Sequence, residues 1–406
     1  MNSANLKRCL PAGRLALVFG SVVVLACQER LVAPADCPNL CPGNLTLDSI
    51  DLAPLADQDS SFEGYVLPGQ STSLRVSNQF PLSEDRAVYR FAPRPDSFLV
   101  ATDSSVPYLL DSVALSVSVL RRDTTVKNLW LYLYRLPPTI DSTITFADVD
   151  AAFTAVNLID SLKVDDSLLS MTVTTTLKGP TLPRVDIPPA DSGILAFGVG
   201  IRADQGTGIR IGSPGLAPPS FRSFITIPSG DTTLPQQITR GLLFGRFVSQ
   251  SAPSLDPSLL TIGGMPSARS LIRFPWSTFL RDSAQLVRVT LELVPAAPIV
   301  GLRADTAFII ARPLLADFGS KSPASTSSFF TSTVALADTT RDTVRFEVLR
   351  AATQWQGSNP TPSAFMMQLS PEGSSFTRAT FGSTRTPGLV ARLRVTYANK
   401  FPFEAP

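Results

Sequence analysis

The side chains best suited to contact a ligand occur in the segment Leu129–Arg135, which reads LWLYLYR. In a β-strand, successive side chains point to opposite faces, so Trp130, Tyr132 and Tyr134 share one face and the leucines share the other. If the leucines face a core, three aromatic rings project outward as a platform for sugar rings, and Arg135 reaches the sugar substituents. The alternative is a strand buried on both faces. We favour that alternative, because large aromatic side chains usually mark buried surface.

Two pairs of arginines form a second group, in the similar segments RAVYRF (86–91) and RSLIRF (269–274). The arginines of each pair are four residues apart, so they share one face of a strand. Arginine binds carboxylates and sulfates through two parallel hydrogen bonds, which would make each pair a receptor for an anionic ligand. The competing interpretation is ion pairing with the abundant aspartates across a sheet, and this is the one we favour.

The residue types needed for common catalytic sites are scarce. Histidine is absent from all 406 residues, which removes Ser-His and Cys-His pairs and every histidine-based metal site. No Gly-x-Ser-x-Gly, Ser-x-x-Lys or phosphate-binding glycine loop occurs. Glu292 and Glu347 lie in expected strands and could form a carboxylate pair for glycoside hydrolysis, but we favour solvated residues on polar strand faces. We expect no enzyme activity and no cofactor.

Two aspartate-rich turns could supply oxygen ligands to calcium: ADQGTG (203–208) and ADTTRDT (337–343). Neither matches a known calcium loop, and aspartate is common in turns for its own hydrogen bonding. We therefore predict no metal site.

The N-terminus has the features of an export signal. Lys7, Arg8 and Arg14 precede the apolar run Leu15–Ala26, which is too short to span a bilayer comfortably. This predicts a signal peptide over residues 1–26. The run ends in Val-Leu-Ala-Cys27, which resembles the lipobox of bacterial lipoproteins, and the resemblance implies lipid attachment to Cys27. The alternatives are an incidental cysteine or cleavage by the ordinary signal peptidase.

Two acyl chains hold a protein firmly on a membrane, so we expect the exported chain to be membrane-attached through Cys27 but not membrane-spanning. Gln28 stands where an aspartate often marks inner-membrane lipoproteins, which favours the outer membrane. Residues 27–43 form a Pro-rich tether that contains Cys37 and Cys41 in CPNLC. Outside the cytoplasm, this pair favours a small local disulfide, since two thiols without histidine cannot complete a zinc site.

Composition favours an all-β protein. Hydrophobic residues make up 44% and charged residues 17% of the chain, and lysine and glutamate are scarce. The net charge is only +2, and no basic run with interleaved aromatics occurs, so nucleic acid is not an expected partner. Short alternating runs separated by Pro, Gly, Asp and Ser predict antiparallel β-sandwiches of jelly-roll type. Residues 148–159 (DVDAAFTAVNLI) predict one short helix in a loop.

The alternating runs recur in the same order in two halves of the chain. RAVYRF corresponds to RSLIRF, LWLYLYRLP (129–137) to AFIIARPL (307–314), and GILAFGVGI (193–201) to SAFMMQL (363–369). A period of about 170–180 residues indicates duplicated domains, because solenoid repeats are much shorter. We predict modules at 44–228 and 237–406, with a linker at 229–236.

The second module resembles the DNRLRE-type domain, the disaggregatase-related repeat of secreted bacterial and archaeal proteins. The matching segments are ARSLIRF (268–274), WQG (355–357), FGS (381–383) and RLRVTY (392–397). Proline follows the Arg-Phe pair here where the family often has aspartate, and the first module lacks the Trp-x-Gly segment. The resemblance implies non-catalytic β-sandwich modules of surface proteins, some of which bind acidic polysaccharides.

Together these patterns predict a lipid-anchored envelope protein that acts in binding, with polysaccharide as the expected ligand. The alternative is a structural or assembly component that contacts other envelope proteins.

Overall fold

A computed structural model of the chain describes residues 46–78, 84–100, 104–229, 232–250, 254–302, 305, 307–317, 319, 325–328, 332–336, 342–357 and 360–400. The predicted signal peptide, lipidated Cys27, tether and Cys37–Cys41 disulfide therefore lie outside the described residues. So does most of the aspartate-rich turn at 337–343.

Antiparallel strands dominate the described residues, so the predicted all-β sandwich fold is confirmed. Strands of the first half are β1 (Asp48–Leu52), β2 (Ser60–Glu63), β3 (Leu74–Ser77), β4 (Asp85–Phe91), β5 (Phe98–Val100), β6 (Ser104–Val106), β7 (Leu109–Arg122), β8 (Trp130–Leu136), β9 (Leu158–Lys163), β10 (Met171–Lys178), β11 (Ala196–Arg202), β12 (Gly208–Ile211) and β13 (Ser220–Ser229). Strands of the second half are β14 (Thr232–Arg240), β15 (Leu242–Ser249), β16 (Leu259–Gly263), β17 (Ala268–Arg273), β18 (Ala284–Leu293), β19 (Ala307–Ala316), β20 (Ser325–Thr326), β21 (Ser332–Leu336), β22 (Val344–Glu347), β23 (Ala364–Ser370), β24 (Arg378–Gly382) and β25 (Arg392–Asn399).

The described residues form three short α-helices, whereas one was predicted: α1 (Phe146–Ala152), α2 (Thr278–Asp282) and α3 (Leu349–Ala352). The predicted helix at 148–159 is α1, but it begins earlier and ends earlier. Thr145 and Asp148 form a capping box that fixes its start. Val156, which lies within the predicted helix, is 94% exposed, since the chain leaves the helix at Phe153 and enters β9 at Leu158.

The first sandwich is one bent 11-stranded sheet built from β3, β4 and β7–β15. The face carried by β4, β8 and β11 packs against the face carried by β7, β10 and β13, which together enclose one hydrophobic core. Phe91 of β4 and Phe221 of β13 meet across it with ring centroids 5.5 Å apart. Alternation in each strand supplies these inward apolar residues.

The second sandwich pairs an eight-stranded sheet with a four-stranded sheet. The larger contains β2, β16, β17, β19–β21, β23 and β24, and the smaller contains β1, β18, β22 and β25. Trp355 and Phe274 are each 1% exposed in the core between them. Phe274 thus occupies the same kind of core position as Phe91, which is fully buried in the first sandwich.

The pairing order is the same in both sandwiches. In the first, β4 lies beside β11 and β11 beside β8; in the second, β17 lies beside β23 and β23 beside β19. Likewise β13–β7–β10 corresponds to β25–β18–β22. These strands carry the sequence segments that recur in the two halves, which supports a duplication.

The ends of the two sandwiches differ from the predicted module boundaries. The N-terminal pair β1–β2, which we call the N-terminal arm, joins the second sandwich: β1 pairs with β25 and β2 with β17. The corresponding pair β14–β15 joins the first sandwich through β13 and β4. The predicted linker at 229–236 overlaps β14, so it is largely strand. Proline and glycine in this segment predict a linker, but Pro235 lies in an edge strand, where proline is tolerated.

The sandwiches also contact each other, through the loop around Phe376 and through an ion pair between Arg210 and Asp305. Phe376 is 1% exposed, and the Arg75 guanidinium lies 4.4 Å from its ring centroid. Arg75 also pairs with the fully buried carboxylate of Asp85 at 2.8 Å and donates to the Ser375 carbonyl. The chain from Asp48 onward is accordingly one compact unit.

Because of the N-terminal arm, the two halves should differ when expressed separately. We expect residues 66–250 to unfold cooperatively in urea, since they contain all strands of the first sandwich. We expect residues 237–406 to show no cooperative transition, because β17 and β25 lose their edge partners. Urea titrations followed by circular dichroism check this, and cooperative unfolding of 237–406 alone would contradict it.

Candidate functional site

The predicted aromatic strand, β8, crosses the sheet with its leucines inward. Leu131 and Leu133 are fully buried in the core of the first sandwich. Trp130 and Tyr132 are half-buried on the opposite face, and Tyr134 is 7% exposed. The rings therefore share the outer face, but they do not form the fully projecting row of three that a platform requires.

Phe153, the residue that ends α1, covers the last ring of the row. It stacks on Tyr134 with centroids 4.2 Å apart and an interplanar angle of 24°. The guanidinium of Arg86 lies 4.1 Å from the Phe153 ring centroid, so the ring also has a cation near it. Tyr134 is thus part of a packed layer and has no face left for a ligand.

Two glycines on β11 make room for this cover. A Cβ atom on Gly198 would lie 2.6 Å from the Phe153 ring, and one on Gly200 would lie 2.8 Å away. Both distances are shorter than any normal carbon–carbon contact. The GVG of β11 is therefore required for the close approach of Phe153 to the sheet.

The two accessible rings, Trp130 and Tyr132, are flanked by cations that sequence patterns did not identify. Arg202 of β11 pairs with Trp130 across the sheet, and its guanidinium lies 4.8 Å from the Tyr132 ring centroid. Lys163 of β9 pairs with Trp130 from the other side. Alternation in GVGIR of β11 puts Arg202 on the same face of the strand as Gly198 and Gly200. It places Arg202 beside the aromatic rings only once β11 is known to pair with β8.

Arg135 is not part of this group. It alternates with Tyr134, so it leaves β8 on the side of the leucines and is exposed at the strand end. Hence we define the accessible aromatic surface by Trp130, Tyr132, Arg202 and Lys163.

Three of the four motif arginines bind carboxylates of the protein itself. Arg269 donates two bonds to Glu372, at 2.8 and 2.7 Å, and Arg273 binds Asp317 at 2.9 Å. Arg86 binds Asp150 at 2.7 Å and is 7% exposed. These are internal ion pairs, as the favoured interpretation expects, but one partner is a glutamate and the carboxylates lie in α1 and at strand ends, not across a sheet from the arginines.

The two glutamates considered for glycoside chemistry are both paired with arginine. Glu292 is 5% exposed, whereas a solvated residue was expected. It accepts a 3.0 Å hydrogen bond from Arg345 of the neighbouring strand β22. Glu347 accepts bonds from Arg288, and these hold its pKa below the usual range for a glutamate. A proton donor needs a raised pKa, so Glu347 is not arranged as one.

Among the residues that the structure describes, no group of three or more Cys, Asp or Glu side chains could hold a metal ion. In the turn at 203–208, Asp204 accepts a 2.9 Å bond from the Asn128 amide. Within the same part of the chain, no helix is long and apolar enough to cross a membrane.

Comparison with known proteins gives no relative: no protein-family model matches the chain, and no curated protein matches it.

The contact between Phe153 and Gly198 gives a direct test of the covered face. Gly198→Ala should lower the free energy of unfolding by about 2–4 kcal/mol, because a core clash must be relieved by shifting a ring. In Phe153→Ala the clash partner is absent, so adding Gly198→Ala should then cost far less. Urea denaturation of the four variants measures this double-mutant cycle.

Gly215→Ala serves as a matched control, since its Cβ would meet nothing within 4 Å. Additive costs for Gly198→Ala and Phe153→Ala would contradict the packing described.

Proposed function

We propose that this chain is a lipid-anchored protein of the bacterial cell envelope that binds carbohydrate without catalysis, through the accessible aromatic surface. The observation that carries the proposal is the pair Trp130 and Tyr132, half-buried side by side on an outward strand face. Their backbone is held by β9 and β11 on both sides and by core leucines behind. A rigid support of this kind lets rings meet a ligand with little loss of conformational entropy.

The chemistry of the surface suits a sugar with polar or anionic substituents. The aromatic rings offer apolar faces for stacking, while the Tyr132 hydroxyl, Arg202 and Lys163 offer hydrogen bonds at the edges. Because Arg202 already lies over one ring, we infer that Trp130 supplies the main stacking face. The resemblance of the second module to DNRLRE-type domains of surface proteins agrees with a non-catalytic binding role.

Export and anchoring rest on the sequence of the first 27 residues. The basic residues, the apolar run and Cys27 together support a lipoprotein signal. Attachment at Cys27 would place the described residues at the membrane surface, with the outer membrane as the proposed location.

Replacing Trp130 should separate ligand binding from folding. Trp130→Ala should weaken retention on the best-bound polysaccharide of a broad glycan panel by roughly two- to tenfold, since one stacked ring contributes about 0.5–1.5 kcal/mol. Its melting temperature should fall by no more than a few degrees, because the ring is only partly buried. Leu109→Ala, at a residue 65% exposed elsewhere in the first sandwich, is the control and should change neither quantity.

Unchanged retention in Trp130→Ala, or a large fall in its melting temperature, would contradict a ligand-contacting role for this ring. If the wild type binds no glycan of the panel, the carbohydrate proposal fails and the assembly role becomes the better proposal.

The anchor has its own test. Metabolic labelling with palmitate should mark the wild type and not Cys27→Ala, whereas Cys37→Ala should be labelled like the wild type. Equal labelling of wild type and Cys27→Ala would refute attachment at Cys27.

A further inference from the structure

The two sandwiches can be compared position by position through their strand registers. Arg90 of β4 lies opposite Ala196 of β11, and Arg273 of β17 lies opposite Ala364 of β23. Both arginines end the same recurring Arg-x-x-x-Arg-Phe segment. Arg90 and Arg273 are therefore corresponding residues.

A second correspondence involves the exchanged strands. Val88 of β4 lies opposite Arg246 of β15, whereas Leu271 of β17 lies opposite Ser60 of β2. The first sandwich thus has an arginine, Arg246, where the second has a small hydroxyl side chain.

The second sandwich neutralises its arginine internally. Arg273 donates to Asp317 and to the backbone carbonyl of Gln58, at 2.9 and 2.7 Å. In the first sandwich, the described residues supply no carboxylate within 4 Å of either Arg90 or Arg246. The Nε atoms of both are buried and have no hydrogen-bond partner among the described residues.

Asp141 is the acidic residue near these two arginines, and it is already engaged. It accepts hydrogen bonds from the Thr143 backbone and hydroxyl, at 2.7 and 2.6 Å. These bonds are the main reason that its pKa is lowered, and the charges of Arg90 and Arg246 contribute less. Asp141 supplies one negative charge and the two arginines supply two positive charges, so the group is net positive. Both arginines are partly buried, so water screens this charge incompletely.

Arg246 lies beside a groove of about 450 Å³. Its apolar walls come from Leu67, Pro68, Pro214, Leu243 and Phe244, and its polar atoms from Gln70, Ser142 and Arg246. Small-molecule sites have this size and this mixture of apolar walls with a few polar groups. Charge and shape together therefore specify an anion attached to an apolar body.

We propose that this groove binds a small carboxylate with an aromatic or aliphatic body. The carboxylate pairs with the Arg246 guanidinium, in the way that Asp317 pairs with Arg273 in the second sandwich, and Arg90 adds long-range attraction. The apolar body packs against Leu67, Pro68 and Phe244. This site is separate from the accessible aromatic surface and does not depend on carbohydrate binding.

The test uses the full-length protein and 3-phenylpropionate, with 3-phenylpropionamide as the uncharged probe and inorganic phosphate as the anion without an apolar body. Isothermal titration calorimetry should show saturable binding of 3-phenylpropionate, at least tenfold tighter than binding of the amide or of phosphate. Arg246→Gln should remove that preference for the acid, Arg246→Lys should retain part of it, and Arg90→Gln should weaken it several-fold. Arg273 is the residue of the second sandwich that corresponds to Arg90, and the Arg273→Gln variant should bind 3-phenylpropionate as the wild type does.

Leu243→Asp provides a second test that does not depend on the stability of the arginine variants. Leu243 is 54% exposed at the edge of the groove, so the change should preserve folding and repel the carboxylate. Equal binding of acid and amide, no saturable binding by the wild type, or unchanged affinity in a folded Arg246→Gln or Leu243→Asp variant would overturn the proposal. Phosphate binding as tight as that of 3-phenylpropionate would show a plain anion site instead.

Discussion

The pairing of the N-terminal arm with the second sandwich is the interaction on which the rest of the architecture depends. Without β1 and β2, β25 would expose unpaired backbone N–H and C=O groups over residues 393–397, and β17 would do so over residues 268–271. The arm also brings buried polar groups. Asp59, fully buried between its two strands, accepts hydrogen bonds from the backbone and hydroxyl of Thr384 at 2.7 and 2.6 Å.

This pairing joins the first described residues to the last strand of the chain. The first sandwich is completed by β14 and β15, which follow it directly, but the second is completed only by strands more than 180 residues earlier in the sequence. Folding of the second sandwich therefore requires closure over a long loop, which costs chain entropy and makes it the later element to form. In chain order, β1 and β2 are the first described strands after the predicted tether, and they belong to the second sandwich.

Alternation within a segment predicts which side chains of a strand face the core. It does not predict which side chains of other strands and helices contact them. Alternation in LWLYLYR gave the inward leucines of β8 correctly, because a core face needs only a period of two. Phe153 covers Tyr134, and two glycines on β11 leave space for the Phe153 ring. Because these residues lie on other elements, alternation in β8 could not show that only two of the three rings are accessible. Arg135 is a different case, because alternation alone puts it on the face of the leucines, one residue beyond Tyr134.

The correspondence between the two halves can be predicted from the sequence, whereas the exchange of strands cannot. RAVYRF and RSLIRF occupy corresponding strands β4 and β17, as their similarity suggested. Yet β1 and β14 are equally compatible with either sandwich by composition, since both are exposed edge strands with little apolar pattern. Only the register with β25 and β13 assigns them, and that register is a property of the folded chain.

Disulfide cross-linking of the N-terminal arm tests most directly whether the arm pairs with the second sandwich. Ser61 of β2 lies opposite Ser270 of β17, and their hydroxyls are 3.0 Å apart. If β2 instead paired with β4 of the first sandwich in the same register, Ser61 would lie opposite Ala87, the residue that corresponds to Ser270. Full-length Ser61→Cys/Ser270→Cys should form the engineered disulfide on mild oxidation, as mapped by peptide mass spectrometry, and Ser61→Cys/Ala87→Cys should not. Cross-linking of the second pair in place of the first would contradict the exchange of strands.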